Sequence, residues 1–208
     1  MYRGEGGAAI RQWPVVTFTI AALTLAAAPL APLLQYDREM FDSAGSWGFV
    51  TGHFVHWSAT HLLWNLAAFL ILGAICERET PRWLLATTIA ATAGIVSTFL
   101  FVFCPEVARY RGLSAIDSAL FLFAAVLVGQ RKPTLAFLCV GAFVGKLIIE
   151  ITTGAPLFVD AGDDVRILPS VHLIGAAIGF CAAVAQHKIV KCRASTSTAT
   201  PSPSMTAA

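Results

Sequence analysis

The sequence predicts an all-α, polytopic membrane protein, a bundle of six transmembrane helices. The chain of 208 residues is 57% hydrophobic and only 12% charged, with a mean hydropathy of +0.72. Its apolar residues come in blocks of about 20, the length an α-helix needs to cross about 30 Å of hydrocarbon, and not at the period of an amphipathic strand or helix. The basic residues sit at the ends of those blocks and form no patch at a net charge of +2. The expected surroundings are therefore a lipid bilayer, and no nucleic-acid role is expected.

The blocks fall at about 14–34, 55–76, 83–103, 113–129, 134–151 and 171–190. The first follows Arg3 and Arg11 and ends near "AAAPLAP". Its apolar core is longer than the usual 7–15 residues of a secretory signal, so it reads as a retained span. The second is entered through "HFVHWSATHLLWN" and closes with "LGAICERE", and the third offers no polar signature. The fourth begins at "GLSAIDSAL", the fifth carries Lys146 and Glu150, and the sixth opens with "VHLIGAAIG". One transmembrane domain thus occupies 1–193. The remainder, 194–208, "ASTSTATPSPSMTAA", is small and polar, has nothing to bury and is expected to be disordered.

Charge sets the orientation. With the N-terminus cytoplasmic, Arg3, Arg11, Arg78, Arg82, Arg131, Lys132, Lys188, Lys191 and Arg193 are inside, against Arg38, Arg109, Arg111 and Arg166 outside. The positive-inside rule then places both termini in the cytoplasm. Asp37, Glu39, Asp42, Glu106, Asp160, Asp163 and Asp164 fall outside. Cys76, Cys104, Cys139, Cys181 and Cys192 form no C-x-x-C, so neither a disulfide framework nor a metal cluster is expected.

Polar side chains inside spans are costly and so mark function by default. Spans two, four and six run in the same direction, and their polar heads share one depth. His61 and Asn65 are four apart, on one helical face. Ser114 and His172 each stand at the start of their own span. A serine hydroxyl is a weak nucleophile that needs a base within hydrogen-bond reach, and a neutral imidazole supplies one. Attack on a carbonyl creates an oxyanion, for which Asn65, His61 and the Ser114 backbone N–H are available donors. A third carboxylate member is not required of such a pair.

Plainer readings stand beside these. Ser114 alone reads as a helix N-cap, and each histidine as an interfacial residue. His53, His56 and His61 lack the H-E-x-x-H spacing of a metal site, and His56 and His61, five apart, would diverge on a helix. Gly175 and Gly179 make a close-packing step that would bring the helix of His172 toward that of Ser114. Lys146 and Glu150 read as an intrahelical ion pair. Asp117, one turn below Ser114, is expected within the bundle, either hydrogen-bonded to a neighbour or protonated through desolvation.

At these residues the chain resembles the rhomboid intramembrane serine proteases. The family pattern H-x-x-x-x-H-x-x-x-N is met by His56, His61 and Asn65, and the serine motif by Gly112, Leu113, Ser114 and Ala115. H-x-x-G-x-x-x-G is met by His172, Gly175 and Gly179, and Glu77 in "LGAICERE" resembles a span-end motif. The resemblance covers about 47–190. It implies Ser114 as nucleophile and His172 as general base, with no cofactor and no metal. Asn65, His61 and the Ser114 backbone would stabilise the oxyanion, supported by Gly112, Asp117, His56, Gly175 and Gly179. Three positions depart from the pattern: Ala115 replaces a glycine, Gly48 follows Trp47 where arginine is usual, and Ser118 stands where an aromatic commonly supports the histidine.

Within the superfamily, the six-span form, "GLS", the Lys146–Glu150 step before "TTG", and "VHLIGAAIG" are most similar to rhombosortases. That likeness implies a bacterial inner-membrane protease with its site open to the periplasmic side. Its partner would be a membrane-anchored substrate bearing a C-terminal Gly-Gly motif, a hydrophobic span and a basic tail. The competing classes are a catalytically impaired relative that binds membrane proteins, and a transporter with a midplane site. Against the transporter, the polar groups lie near one surface and no inverted repeat is evident.

Overall fold

The computed structural model of the chain describes residues 13–40, 46–154 and 168–197. Helix α1 (Val15–Ala27) passes through a 3₁₀ turn at Ala28–Leu30 into α2 (Ala31–Leu34). Pro29 and Pro32 fall in the first two positions of the two later pieces, where the missing N–H and fixed φ of proline are tolerated. A short α3 (Gly48–Thr51) and a 3₁₀ turn (Gly52–Phe54) precede α4 (Ala59–Glu79) and α5 (Arg82–Phe103). Then follow α6 (Ser114–Gly129), α7 (Pro133–Thr153) and α8 (Pro169–Ser197).

One small element departs from the all-helical expectation. Strands β1 (Tyr36–Asp37) and β2 (Arg109–Tyr110) pair antiparallel, with Tyr36 opposite Tyr110. They tie the exit of the first span to the segment that leads into α6.

Five segments are long and apolar enough to cross a membrane: Val15–Leu34, α4, α5, α7 and Pro169–Cys192 of α8. The sixth apolar helix, α6, has only 16 residues, about 24 Å of rise. The second span starts later than the apolar pattern suggested, at Ala59 and not near 55. The reason is local: Val55 is fully buried but extended, and Ser58 takes the N-cap, its Oγ accepting from His61 N at 3.1 Å. His56 therefore lies off the helix. Helix α8 runs to Ser197, past the domain end at 193. The rest of the tail, 198–208, lies outside the described residues, as do Arg3, Arg11, Asp42, Asp160, Asp163, Asp164 and Arg166.

Helix α6 is the centre of the bundle. Ala115 to Leu120 and Phe123 to Ala125 are all buried, and α6 packs on α4, α5, α7 and α8. Its closest neighbour is α8. A Cβ on Gly175 would overlap the carbonyl oxygen of Ala115, and one on Gly179 that of Ala119. These two contacts advance together along both chains, so the helices run parallel, backbone against backbone, as small residues in a membrane bundle allow. Helix α4 is parallel to them too: its early residues His61 and Asn65 lie against Gly112, while Cys76 Sγ reaches Leu120 O at 3.6 Å.

The opposite end of the bundle is tied by Glu77. This fully buried carboxylate accepts from Val16 N at 3.0 Å, Thr17 N at 2.9 Å and Thr17 Oγ1 at 2.9 Å. It thereby satisfies orphan N–H groups at the start of α1, and Arg82 Nε lies 3.2 Å away. Gln186 Nε2 donates to Glu79 O at 3.0 Å, so the far part of α8 reaches the same end as the start of α1.

Candidate active site

Ser114 is the first residue of α6. The cap position belongs to Leu113, and no side chain caps this terminus, so the N-cap reading of Ser114 is not realised. Its hydroxyl is left for other partners. Ser118 Oγ instead donates back to Ser114 O at 2.8 Å, a bond within one helical turn.

The chain reaches Ser114 through Gly112, whose φ of +129° belongs to backbone that side-chain-bearing residues avoid. Two restraints hold it there. Gly112 N donates to Gly52 O at 3.1 Å, and a Cβ at this position would stand 2.9 Å from Cε1 of His61, 3.0 Å from its Nε2 and 3.5 Å from Nδ2 of Asn65. His61, Asn65 and the serine motif are thus brought together. Asn65 is 9% exposed, and its Nδ2 has no hydrogen-bond partner among the described residues. An unspent buried donor beside the backbone that leads into Ser114 is what an oxyanion site would use.

His56 and His61 meet edge to face, ring centroids 4.9 Å apart. His56 does not diverge from His61 as a helical spacing would require, because it sits in the loop before α4. Its Nε2 points at Leu113 N, 3.5 Å away. Burial first, and then the neighbouring His61, push His56 down from 6.5 to about 3, so it is a neutral acceptor. His53 is separate from this group: its Nε2 pairs with Ser97 Oγ at 3.0 Å. No three His, Cys, Asp or Glu are grouped to hold a metal among the described residues.

His172 stands one turn before Gly175 on α8, and Gly175 lies on the backbone of Ala115. The histidine's turn is thereby held beside the start of α6. His172 and His61 lie within electrostatic reach of each other. Ala115 has no exposed surface and sits in regular helix, so the methyl group that stands where the resembling motif has a glycine is accommodated. Gly48, the second departure, has a cause in packing, since a Cβ there would overlap the carbonyl of Gln35. An arginine cannot stand on this backbone.

Asp117 is 8% exposed, and neither carboxyl oxygen has a hydrogen-bond partner among the described residues. Of the two roles open to it, the hydrogen bond to a neighbour is not made among the described residues. Two residues that sequence reasoning left outside the site belong to its surroundings. Tyr110 donates its hydroxyl to Gly112 O at 3.3 Å. Burial pushes its phenol up to about 12, against the pull of the nearby Ser114 side chain. The second is Glu150. Lys146 Nζ donates to both its oxygens at 2.7 Å, as the i,i+4 spacing implied, but Oε2 also lies 3.5 Å from His172 Nδ1. No local pattern signals that contact, since it joins two helices that are separate in the sequence.

A family model described as the rhomboid domain matches residues 43–189, more than half of the chain. No curated protein matches the chain.

Proposed function

The chain belongs to the rhomboid family of intramembrane serine proteases, and from that membership we propose that Ser114 and His172 form its catalytic dyad, within six spans. His172 takes the proton of the Ser114 hydroxyl as Oγ bonds to the scissile carbonyl carbon, and the carbonyl becomes an oxyanion. Asn65 Nδ2, His61 and the Ser114 N–H donate to that oxygen. Collapse breaks the C–N bond, with the His172 proton going to the departing amine. Water then attacks the acyl-serine, gives a proton to His172, and that proton returns to Ser114 Oγ as the acid product leaves.

The observation that carries this reading is the state of Ser114. It opens a short, buried helix without serving as its cap, on a backbone pinned against His61 and Asn65 by Gly112. A helix of about 24 Å is shorter than the hydrocarbon layer, which supports a first residue set below the surface, where a membrane-anchored peptide would be presented.

Arg78, Arg82, Arg131, Lys132, Lys188 and Lys191 fall toward the opposite ends of the helices. The positive-inside rule thus favours a cytoplasmic face there and a site opening outward, to the periplasm in a bacterial inner membrane. The rhombosortase likeness supports as substrate a secreted protein bearing a C-terminal Gly-Gly motif, one hydrophobic span that anchors it, and a basic tail.

The test uses a fluorophosphonate on the purified protein in detergent or liposomes. Labelling confined to Ser114, together with loss of cleavage in Ser114→Ala and His172→Ala, supports the dyad. A folded Ser114→Ala protein that still cleaves removes it, and a wild-type protein that neither labels nor cleaves any anchored substrate leaves the binding-protein alternative. Replacing Gly-Gly by bulky residues in an otherwise identical substrate decides the specificity: unchanged rates would exclude the rhombosortase assignment.

A further inference from the structure

We propose that Glu150 is a positioning residue for His172, held in place by Lys146, so that a carboxylate from α7 completes an arrangement in which Ser114 and His172 are the reacting groups. The inference rests on the dyad reading and goes beyond it.

The geometry comes first. Glu150 is 3% exposed, and the side chain of His172 is 11% exposed. Oε2 of Glu150 stands 3.5 Å from Nδ1 of His172, inside ion-pair reach and longer than a formed N–H···O bond. Nδ1 has no hydrogen bond among the described residues, so the carboxylate faces a ring nitrogen that nothing else engages. When Nε2 faces the serine, the hydrogen of a neutral imidazole belongs on Nδ1. A carboxylate on that side selects this tautomer and steadies the imidazolium formed as Ser114 gives up its proton.

The placement on α7 is also specific. Only Leu147 and Glu150 of that helix are buried, so its inward stripe is narrow. An ion pair that merely lowered the cost of two charges in lipid would be met at any pair of positions four apart. Here Lys146 keeps 28% of its side chain exposed, while its partner is turned inward to the histidine. Lys146 donates to both carboxylate oxygens, which fixes the side chain's orientation. The charged or titratable groups facing His172 are then Glu150 with Lys146 from α7 and His61 from α4, with Ser114 on α6 as the group that exchanges its proton.

The experiment compares Glu150→Gln, Glu150→Asp and the double variant Lys146→Met/Glu150→Leu with wild type and Ser114→Ala, in the full chain in liposomes. Rates of wild type and of the Glu150 and Lys146 variants are expressed per fluorophosphonate-titrated site, and that of Ser114→Ala per mole of folded protein, so that misfolded protein does not count. The expected result is a fall in kcat of about 10- to 10²-fold for Glu150→Gln, with KM within about twofold and partial recovery in Glu150→Asp. The double variant replaces a buried ion pair by an apolar pair, a change often neutral for stability; it should melt like wild type and turn over as slowly as Glu150→Gln or more slowly. It keeps the test decisive if Glu150→Gln fails to fold. A double variant at wild-type kcat, with Ser114→Ala dead, overturns the positioning role and leaves the dyad standing. An active Ser114→Ala overturns the dyad itself.

Discussion

Gly112 and His61 are packed so closely that a single added methyl at the glycine would stand 2.9 Å from Cε1 of the imidazole. The backbone there is at φ +129°, so crowding and conformation act together. Gly112→Ala should cost about 1–3 kcal/mol of stability and displace His61 and the entry to Ser114. The expected outcome is an inserted protein with activity lowered at least about tenfold, read from one melting curve and one rate. Wild-type turnover in this variant would show that the contact does not position the site.

Asn65→Ala removes the unspent donor on the serine's side of α4. Turnover should fall by about 10²-fold or more, mainly in kcat, because the oxyanion exists only in the transition state. His61→Ala should have a similar or milder effect, since the Ser114 N–H remains. Unchanged rates in both variants would contradict the oxyanion assignment.

The alanine at 115 stands in regular helix with no exposed surface. Ala115→Gly should therefore lower stability by about 1 kcal/mol and alter turnover by no more than a few-fold. A hundredfold rise would mean that the methyl group cripples the natural enzyme.

How far the sequence reveals this arrangement follows from which forces are local. Apolar block length is a direct signature of a span, so five long helices and the shorter α6 lie where hydropathy implied. The second span's start was not legible, because Val55 is apolar for burial in a loop, and composition does not separate that from helix. Lys146 and Glu150 were legible as a pair, since the i,i+4 rule is intrahelical. Glu150 beside His172 was not, because a contact between α7 and α8 depends on how two helices are rotated about their own axes. Asp117 lies within the bundle as its spacing from Ser114 implies, and of the two roles the sequence leaves open the hydrogen bond to a neighbour is absent among the described residues.

Acid should weaken the fold through the loop before α4. Burial lowers His53 from 6.5 to about 4, and His56 to about 3. Unfolded imidazoles take up protons near 6.5, whereas the folded ones stay neutral until about 4 and 3, so between those limits the unfolded state binds more protons. Stability is then complete above 6.5 and declines as pH falls from there through 4. His53→Gln, whose amide still suits Ser97, should make the drop in melting temperature from about pH 7 to about pH 4.5 shallower. An identical slope in the variant would remove His53 from the account.

Buried Glu77 also bears on biogenesis. Its partners are Val16 and Thr17, made 61 and 60 residues before it, and Arg82, made five residues after it. By the time α5 begins to emerge from the ribosome, every group that satisfies this carboxylate has been synthesised. The first span and α4 can therefore close as an antiparallel hairpin in the membrane without help from the later helices, which is where the cost of an isolated charge in lipid would otherwise fall. Asp117 is in the opposite position. It lies on α6, which packs on α4, α5, α7 and α8, so part of the bundle around it is made only after it. The N-terminal pair thus has its polar partners early, whereas the centre of the bundle is enclosed by helices made after it.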